Sequence, residues 1–327
     1  MERLEARPLR DAEALLAHVA QACPTGPAAV LIDEVQEIRD FDVALRTLAN
    51  ESRFDLYVTG SNAELFSGEI ATRFAGRAVS IEVHPLSYDE FLVFHGRADD
   101  DAALGDFLRF GGLPFLRHLP LRDELAFEYL HGVRKADLLE RLLLCVADSV
   151  GAPVSAQSIV RFLKSQRTQT SVPTVLAHLE QLEQACLIRR VRRSDLEGKR
   201  FFEVAEKFYF EDLGIRAALR GSRTEDIGKL VENAVYNRLR LDGWQISTGL
   251  LPGDREIDFI CTRGPERLYV QAAWLLVEPA TRAREFGNLL AIPDNSPKCV
   301  VSLDPITADE AGVNHKGLRA FPRDGSG

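Results

Sequence analysis

The feature that most constrains this chain is an unbroken apolar run, Ala28-Ala29-Val30-Leu31-Ile32, closed abruptly by Asp33 and Glu34. Five apolar residues with no polar alternation predict a strand buried on both faces, and hence a parallel sheet covered by helices. The flanking sequence agrees. Ala14, Leu15, Val19 and Ala22 recur at helical spacing within Asp11 to Cys23, and Val43 to Ala49 is again helical. A second buried strand is predicted from Phe54 to Thr59, stopped by Gly60-Ser61-Asn62, and after another helix-like stretch a third from Ala78 to Val83. Strands separated by helices of this length wind as right-handed β-α-β units.

An apolar strand running into two adjacent carboxylates is a Walker B arrangement. One carboxylate is held near Mg²⁺, and the next orients or deprotonates an attacking water. The same pattern also occurs as a solvated cap at strand-to-helix turns. A polar side chain at the end of the neighbouring strand, in Thr59-Gly60-Ser61-Asn62, stands where a nucleotide sensor would touch a terminal phosphate or its lytic water. Arg73 and Arg77 flank Gly76 just before the third predicted strand. Arginine there can stabilise transition-state charge, or be ordinary surface charge.

Downstream, His84 to about Asp148 is predicted helical with brief breaks, notably Gly111-Gly112-Leu113-Pro114. Ser155 to Lys164, Pro173 to Cys186 and Leu187 to Val204 follow in the order helix, helix, hairpin, which is the pattern of a winged helix. Its second helix is too acidic (Glu180, Glu183) for close approach to phosphates. The hairpin is basic: Arg189, Arg190, Arg192, Arg193, Lys199 and Arg200 could contact a nucleic-acid backbone, or pair with acids such as Asp195 and Glu197. The last part predicts a helix at Asp226 to Leu241 and strands at Glu256 to Cys261, Leu268 to Trp274 and Lys298 to Leu303.

Four blocks follow one another closely: Leu31-Ile32-Asp33-Glu34-Val35-Gln36, Val58-Thr59-Gly60-Ser61-Asn62-Ala63, Ala71-Thr72-Arg73-Phe74-Ala75-Gly76-Arg77 and His84-Pro85-Leu86-Ser87-Tyr88-Asp89-Glu90-Phe91. The series closely resembles a family of bacterial and archaeal AAA+-like ATPases within the P-loop class, and continues into Arg109-Phe110-Gly111-Gly112-Leu113-Pro114 of a helical lid. The resemblance implies ATP and Mg²⁺ as cofactors. It implies Asp33 and Glu34 as the Walker B pair, with Asp33 holding Mg²⁺ through water. Asn62, with Ser61, would be the sensor, and Arg73 or Arg77 the finger.

One part of that site is missing from the sequence. The phosphate loop G-x-x-x-x-G-K-[ST] occurs nowhere. Only 27 residues precede the Walker B strand, whereas another strand, loop and helix need roughly 30 more. The expectation is therefore a truncated nucleotide-binding core that does not bind ATP tightly by itself. A sheet lacking a central strand would also expose an edge and an apolar face.

The resemblance extends to Glu206 through Arg216, Gly228 through Asn233 and Arg284 through Ile292, which look like the C-terminal domain that commonly follows this ATPase. That domain is similar to the PD-(D/E)XK nuclease fold. Glu232, Asp258 and Gln271 stand at its acidic and polar site positions, with Ala273 where the fold's lysine would be. A neutral Gln271 and an absent lysine predict a degenerate nuclease-like site. The expected α/β organisation is a truncated core over 1–96, a helical lid over 97–148, a winged helix over 149–212, a nuclease-like domain over 213–304 and a loose tail over 305–327.

Composition bounds the rest. A net charge of −9 gives no general pull toward nucleic acid. No run approaches the roughly 18 apolar residues of a membrane helix, and five singly placed cysteines suit a reducing cytosol. The seven histidines show no metal-binding spacing. The leading expectation is an ATP-binding, ATP-hydrolysing protein. The alternative is a non-catalytic scaffold that binds protein or DNA, with oligomer formation open.

Overall fold

The computed structural model describes residues 8–60, 76–79, 81–119, 137–194, 201–221, 223–253 and 255–321. The chain divides into two compact units, Met1–Glu82 and Val83–Gly327.

In the first unit, α1 (Ala12–Ala22) begins at Asp11, whose carboxylate caps the helix by accepting the N–H of Glu13. It is followed by β1 (Ala28–Ile32), α2 (Phe41–Asn50) and β2 (Phe54–Val58). The strands pair in parallel, Ala28 beside Phe54 and Ile32 beside Val58. Leu15 and Val19 of α1 and Ala44, Leu45 and Leu48 of α2 pack with Ile32, Val35 and Ile38, and Val30, Leu56 and Val58 lean on the same cluster.

The expectation of burial on both faces holds for one face only. Leu31 is 77% exposed and Tyr57 is exposed beside it, because the described helices of this unit lie on the opposite face. Nor does a third strand form at Ala78 to Val83 among the described residues. Val79 is 89% exposed, and Ile81 and Val83 are exposed with it. Alternating branched residues favour an extended backbone, but a strand also needs an edge to satisfy its N–H and C=O groups, and no pairing of this segment is found among the described residues.

The second unit opens with α3 (Tyr88–His95), started by a capping box between Ser87 and Glu90, and α4 (Asp101–Phe110), capped by Asp100. Next come α5 (Asp137–Asp148), α6 (Ala156–Ser165), α7 (Val172–Gln184), β3 (Ile188–Ser194), β4 (Phe201–Phe210) and α8 (Leu213–Arg220). The remainder is α9 (Ile227–Leu241), β5 (Gln245–Leu251), β6 (Arg255–Arg263), β7 (Glu266–Ala272), α10 (Pro279–Leu290), β8 (Lys298–Ser302) and β9 (Asn314–Gly317). The predicted helix–helix–hairpin order is present as α6, α7 and β3–β4. The hairpin is not free-standing, because β3 pairs in parallel with β5. One mixed sheet runs β4-β3-β5-β6-β7-β8-β9 among the described residues.

Two apolar clusters sandwich this sheet. Val231, Val235 and Leu239 of α9 pack with Phe259, Cys261, Val270 and Val301. Phe286 and Leu289 of α10 pack with Ile257, Ile260, Tyr269 and Val300. The register between β5 and β6 shifts, since Gly249 faces Ile257 while Ser247 faces Ile260. Asp258 and Phe259 thus share the place opposite Thr248, which is a bulge, a device that re-aims a side chain.

Candidate functional site

In the first unit the chemistry gathers at the carboxyl ends of β1 and β2, where open parallel sheets bind their ligands. The pairing of Ile32 with Val58 brings Asp33 alongside Thr59. The Thr59 hydroxyl donates to Asp33 Oδ1 at 2.5 Å and accepts the N–H of Glu34 at 3.2 Å. The backbone locks the same corner, with Thr59 N–H on the Ile32 carbonyl at 2.9 Å and Val35 N–H on the Thr59 carbonyl at 3.0 Å. Glu34 adopts a left-handed conformation (φ 54°) that is uncommon for a residue with a side chain, and its carboxylate accepts the side-chain amide of Gln36. Downstream, Arg39 pairs with Asp11 at 2.5 Å and ties the loop back to the start of α1.

Asp33 is exposed and Glu34 half-buried. A carboxylate at a strand end, steered by a hydroxyl and open to water, suits a hydrated Mg²⁺. Ser61, Asn62 and Arg73 lie outside the described residues, whereas Arg77 is exposed in a turn with Gly76. Thr59 opens the block Thr59-Gly60-Ser61-Asn62, and its hydroxyl at the strand end is what meets Asp33 and Glu34.

In the second unit the structure brings Glu232 of α9 and Asp258 of β6 together around a residue not singled out as a site residue, Lys207 of β4. Its ammonium is 3.0 Å from Glu232, 3.2 Å from Glu256 and 3.3 Å from Asp258. Lys207 is only 1% exposed. Burial alone would depress its pKa, but Asp258, Glu232 and Glu256 outweigh that and hold it raised. Burial and then the Asp258 charge push the Glu232 carboxyl up to about 7, against the pull of Lys207 and the Tyr209 hydroxyl. Tyr209 donates to Glu232 Oε1 at 2.7 Å.

Gln271 joins this cluster only through Asp258. Its carbonyl oxygen accepts the Asp258 N–H at 2.6 Å, and its amide donates to Glu285 of α10 at 2.8 Å. Asp258 Oδ2 accepts the N–H of Ala272. Ala273 is buried in the apolar cluster under α10. The signal for Lys207 was a lysine set among aromatic residues within a strand, Lys207-Phe208-Tyr209-Phe210, since a charge in such a run is either exposed or paired.

The basic hairpin is largely neutralised from within. Arg189 pairs with the buried Glu211, which also holds Arg240 at 2.8 Å. Arg190 lies 3.0 Å from Glu183 and 3.5 Å from Glu206, while Arg192, mostly exposed, is 3.7 Å from Glu206. Arg193 is half-buried, and Lys199 and Arg200 lie outside the residues whose side chains are described. Among the described residues no helix is long and apolar enough to cross a membrane.

Comparison with known proteins adds to this geometry. The model of an AAA domain matches residues 1–92, and that of a domain of unknown function matches residues 124–226. An uncharacterized protein of Haemophilus influenzae is 30% identical over 322 residues, covering 92% of this chain and 79% of its own length. The uncharacterized protein MJ1544 of Methanocaldococcus jannaschii is 27% identical over 277 residues, and the match spans 76% of this chain and 62% of the archaeal protein. Among solved structures, the Walker-type ATPase PABY2304 of Pyrococcus abyssi aligns with a TM-score of 0.43 and 16% identity, over 64% of this chain and 66% of that one. The strand-end corner of Asp33, Glu34 and Thr59 lies inside the stretch that matches an AAA domain, and with a relative aligned over 92% of its length this chain belongs to the same family as the uncharacterized Haemophilus influenzae protein.

Proposed function

We propose that the protein is an ATP-binding AAA protein whose first unit carries the metal-and-water half of a nucleotide site. Asp33 would hold Mg²⁺ through water, and Glu34 would face the attacking water. The observation that carries this reading is the Thr59 hydroxyl bridging Asp33 and Glu34 at the ends of two parallel strands. When bound, Mg²⁺ would neutralise phosphate charge. What the chain's own residues do is hold one carboxylate toward the metal and set the next beside it. The consensus loop for the β- and γ-phosphates does not occur in this sequence.

Calorimetric titration of Mg-ATP tests the reading. Saturable binding tighter than about 1 mM, roughly 4 kcal/mol, that Asp33→Asn abolishes supports the reading for this chain as it stands. Absence of heat overturns ATP binding for this chain.

A second reading, a non-catalytic scaffold with a degenerate nuclease-like domain, is supported by the second unit. Strands β5 to β8, flanked by α9 and α10, present Glu232 and Asp258 together, while Gln271 is engaged by Asp258 and Glu285, and Ala273 offers no cation. Binding to duplex DNA that weakens steeply as salt rises supports a DNA-binding scaffold. Binding indifferent to salt, or none, points to a protein partner.

A further inference from the structure

We infer that the ammonium of Lys207 is the resident cation of the Glu232–Glu256–Asp258 cluster, standing where a divalent metal ion would otherwise be held, so that this site is closed without metal. The inference rests on the geometry of the second unit and is independent of the nucleotide reading.

An ammonium has three N–H donors, and Lys207 has three carboxylates around it, at 3.0, 3.2 and 3.3 Å. The acids come from two elements, α9 and β6, and the lysine from a third, β4, so folding itself assembles the site. The facing oxygens are already engaged. Glu232 Oε1 accepts from both Lys207 and Tyr209. Glu232 Oε2 sits against Gly151, where an added Cβ would come within 2.3 Å of it. Asp258 presents Oδ1 to Lys207 and Oδ2 to the N–H of Ala272.

A magnesium ion needs close to six oxygens at about 2.1 Å and usually keeps several waters. Admitting it would set a second positive centre beside a buried ammonium. Lys207 precedes buried Phe208 and Tyr209 in β4, whose pairing with β3 fixes Lys207 opposite Val191. The ammonium is therefore built in rather than exchanged with solution. Remove its charge, and three carboxylates converge with no cation, a donor set suited to a hard divalent ion.

Mn²⁺ titration of the full chain, read by the paramagnetic signal of free Mn²⁺, tests this. The wild-type chain is expected to show no Mn²⁺ site that Asp258→Asn or Glu256→Gln removes. Lys207→Met is expected to gain one Mn²⁺ per chain, bound at least tenfold more tightly than any site it shares with wild type. Adding Asp258→Asn to Lys207→Met should abolish that gain. Any Mn²⁺ at Asp33 is set apart because Asp33→Asn removes it and changes at Asp258 do not. A wild-type Mn²⁺ site lost in Asp258→Asn or Glu256→Gln overturns the inference, as does a folded Lys207→Met chain that gains no Mn²⁺. Should Lys207→Met fail to fold, wild type against Glu256→Gln, altered at the half-exposed edge of the cluster, still decides.

Discussion

The carboxylate of Asp212 accepts the backbone N–H of Gly112 at 2.7 Å across 100 residues of chain, and it lies where a side chain on Gly111 would have to go. Gly111 ends α4 with φ 80° and ψ −164°, a conformation open almost only to glycine. A Cβ there would fall 2.3 Å from Asp212 Oδ1. Gly111→Ala should therefore cost on the order of 3 kcal/mol. Gly96→Ala is the control: its φ is also positive, at 63°, but nothing lies within 4 Å, so only the left-handed cost of about 1 kcal/mol applies. Urea unfolding followed by tryptophan fluorescence checks both, because Trp244 and Trp274 lie in the second unit.

Asp212 also predicts a pH dependence. Burial pushes its carboxyl from 3.8 up to about 6, against the backbone N–H groups of Gly112, Ile215, Gly214 and Leu113 that favour the charge. The folded state then keeps a proton that the unfolded chain releases above about pH 4. Stability should fall as pH rises from about 4 to 6, by an amount on the order of 2–3 kcal/mol. Urea midpoints across this range should show the slope, and Asp212→Asn should flatten it. A slope unchanged by Asp212→Asn would mean that Asp212 does not titrate there.

Much of this was legible in the sequence because it is written locally. The run Ala28–Ile32 with its two acids, the Phe54–Val58 strand, the helix ending at Leu241 and the strand around Asp258 all carry their own periodicity. What periodicity cannot show is which elements meet. Lys207 lies 25 residues from Glu232 and 51 from Asp258, and only the sheet order, with β3 beside β5, brings them together. The Gly111-Gly112 break was visible as a turn, but not that Asp212 would fill its empty side. The exposed Val79, Ile81 and Val83 show the converse: a strand pattern is a statement about side chains, and a strand also requires a partner.

Arg216 of α8 is 1% exposed, donates to the carbonyl of Ala147 at 3.2 Å and pairs with Asp226 at 3.2 Å. Burial lowers its pKa and Asp226 opposes that. Asp226→Ala should strand the guanidinium and cost about 3–5 kcal/mol. The double change Arg216→Met, Asp226→Ala should recover much of the loss, since no charge is left buried. A double-mutant cycle in urea checks this, and additive losses would mean the two residues do not stabilise one another.

Adjacent residues of β1 predict opposite outcomes. Ile32 is buried against α1 and α2, so Ile32→Ala should cost about 3 kcal/mol through lost burial and the cavity left behind. Leu31 points to the open face and is 77% exposed, so Leu31→Gln should change stability by no more than about 0.5 kcal/mol. Hydrogen exchange of the β1 and β2 amides reads this unit by itself, because both tryptophans lie in the other. The contrast decides more than packing. A cost for Leu31→Gln close to that of Ile32→Ala would mean that the outer face of the β1–β2 pair is covered in solution, as the second layer of a doubly wound sheet would cover it.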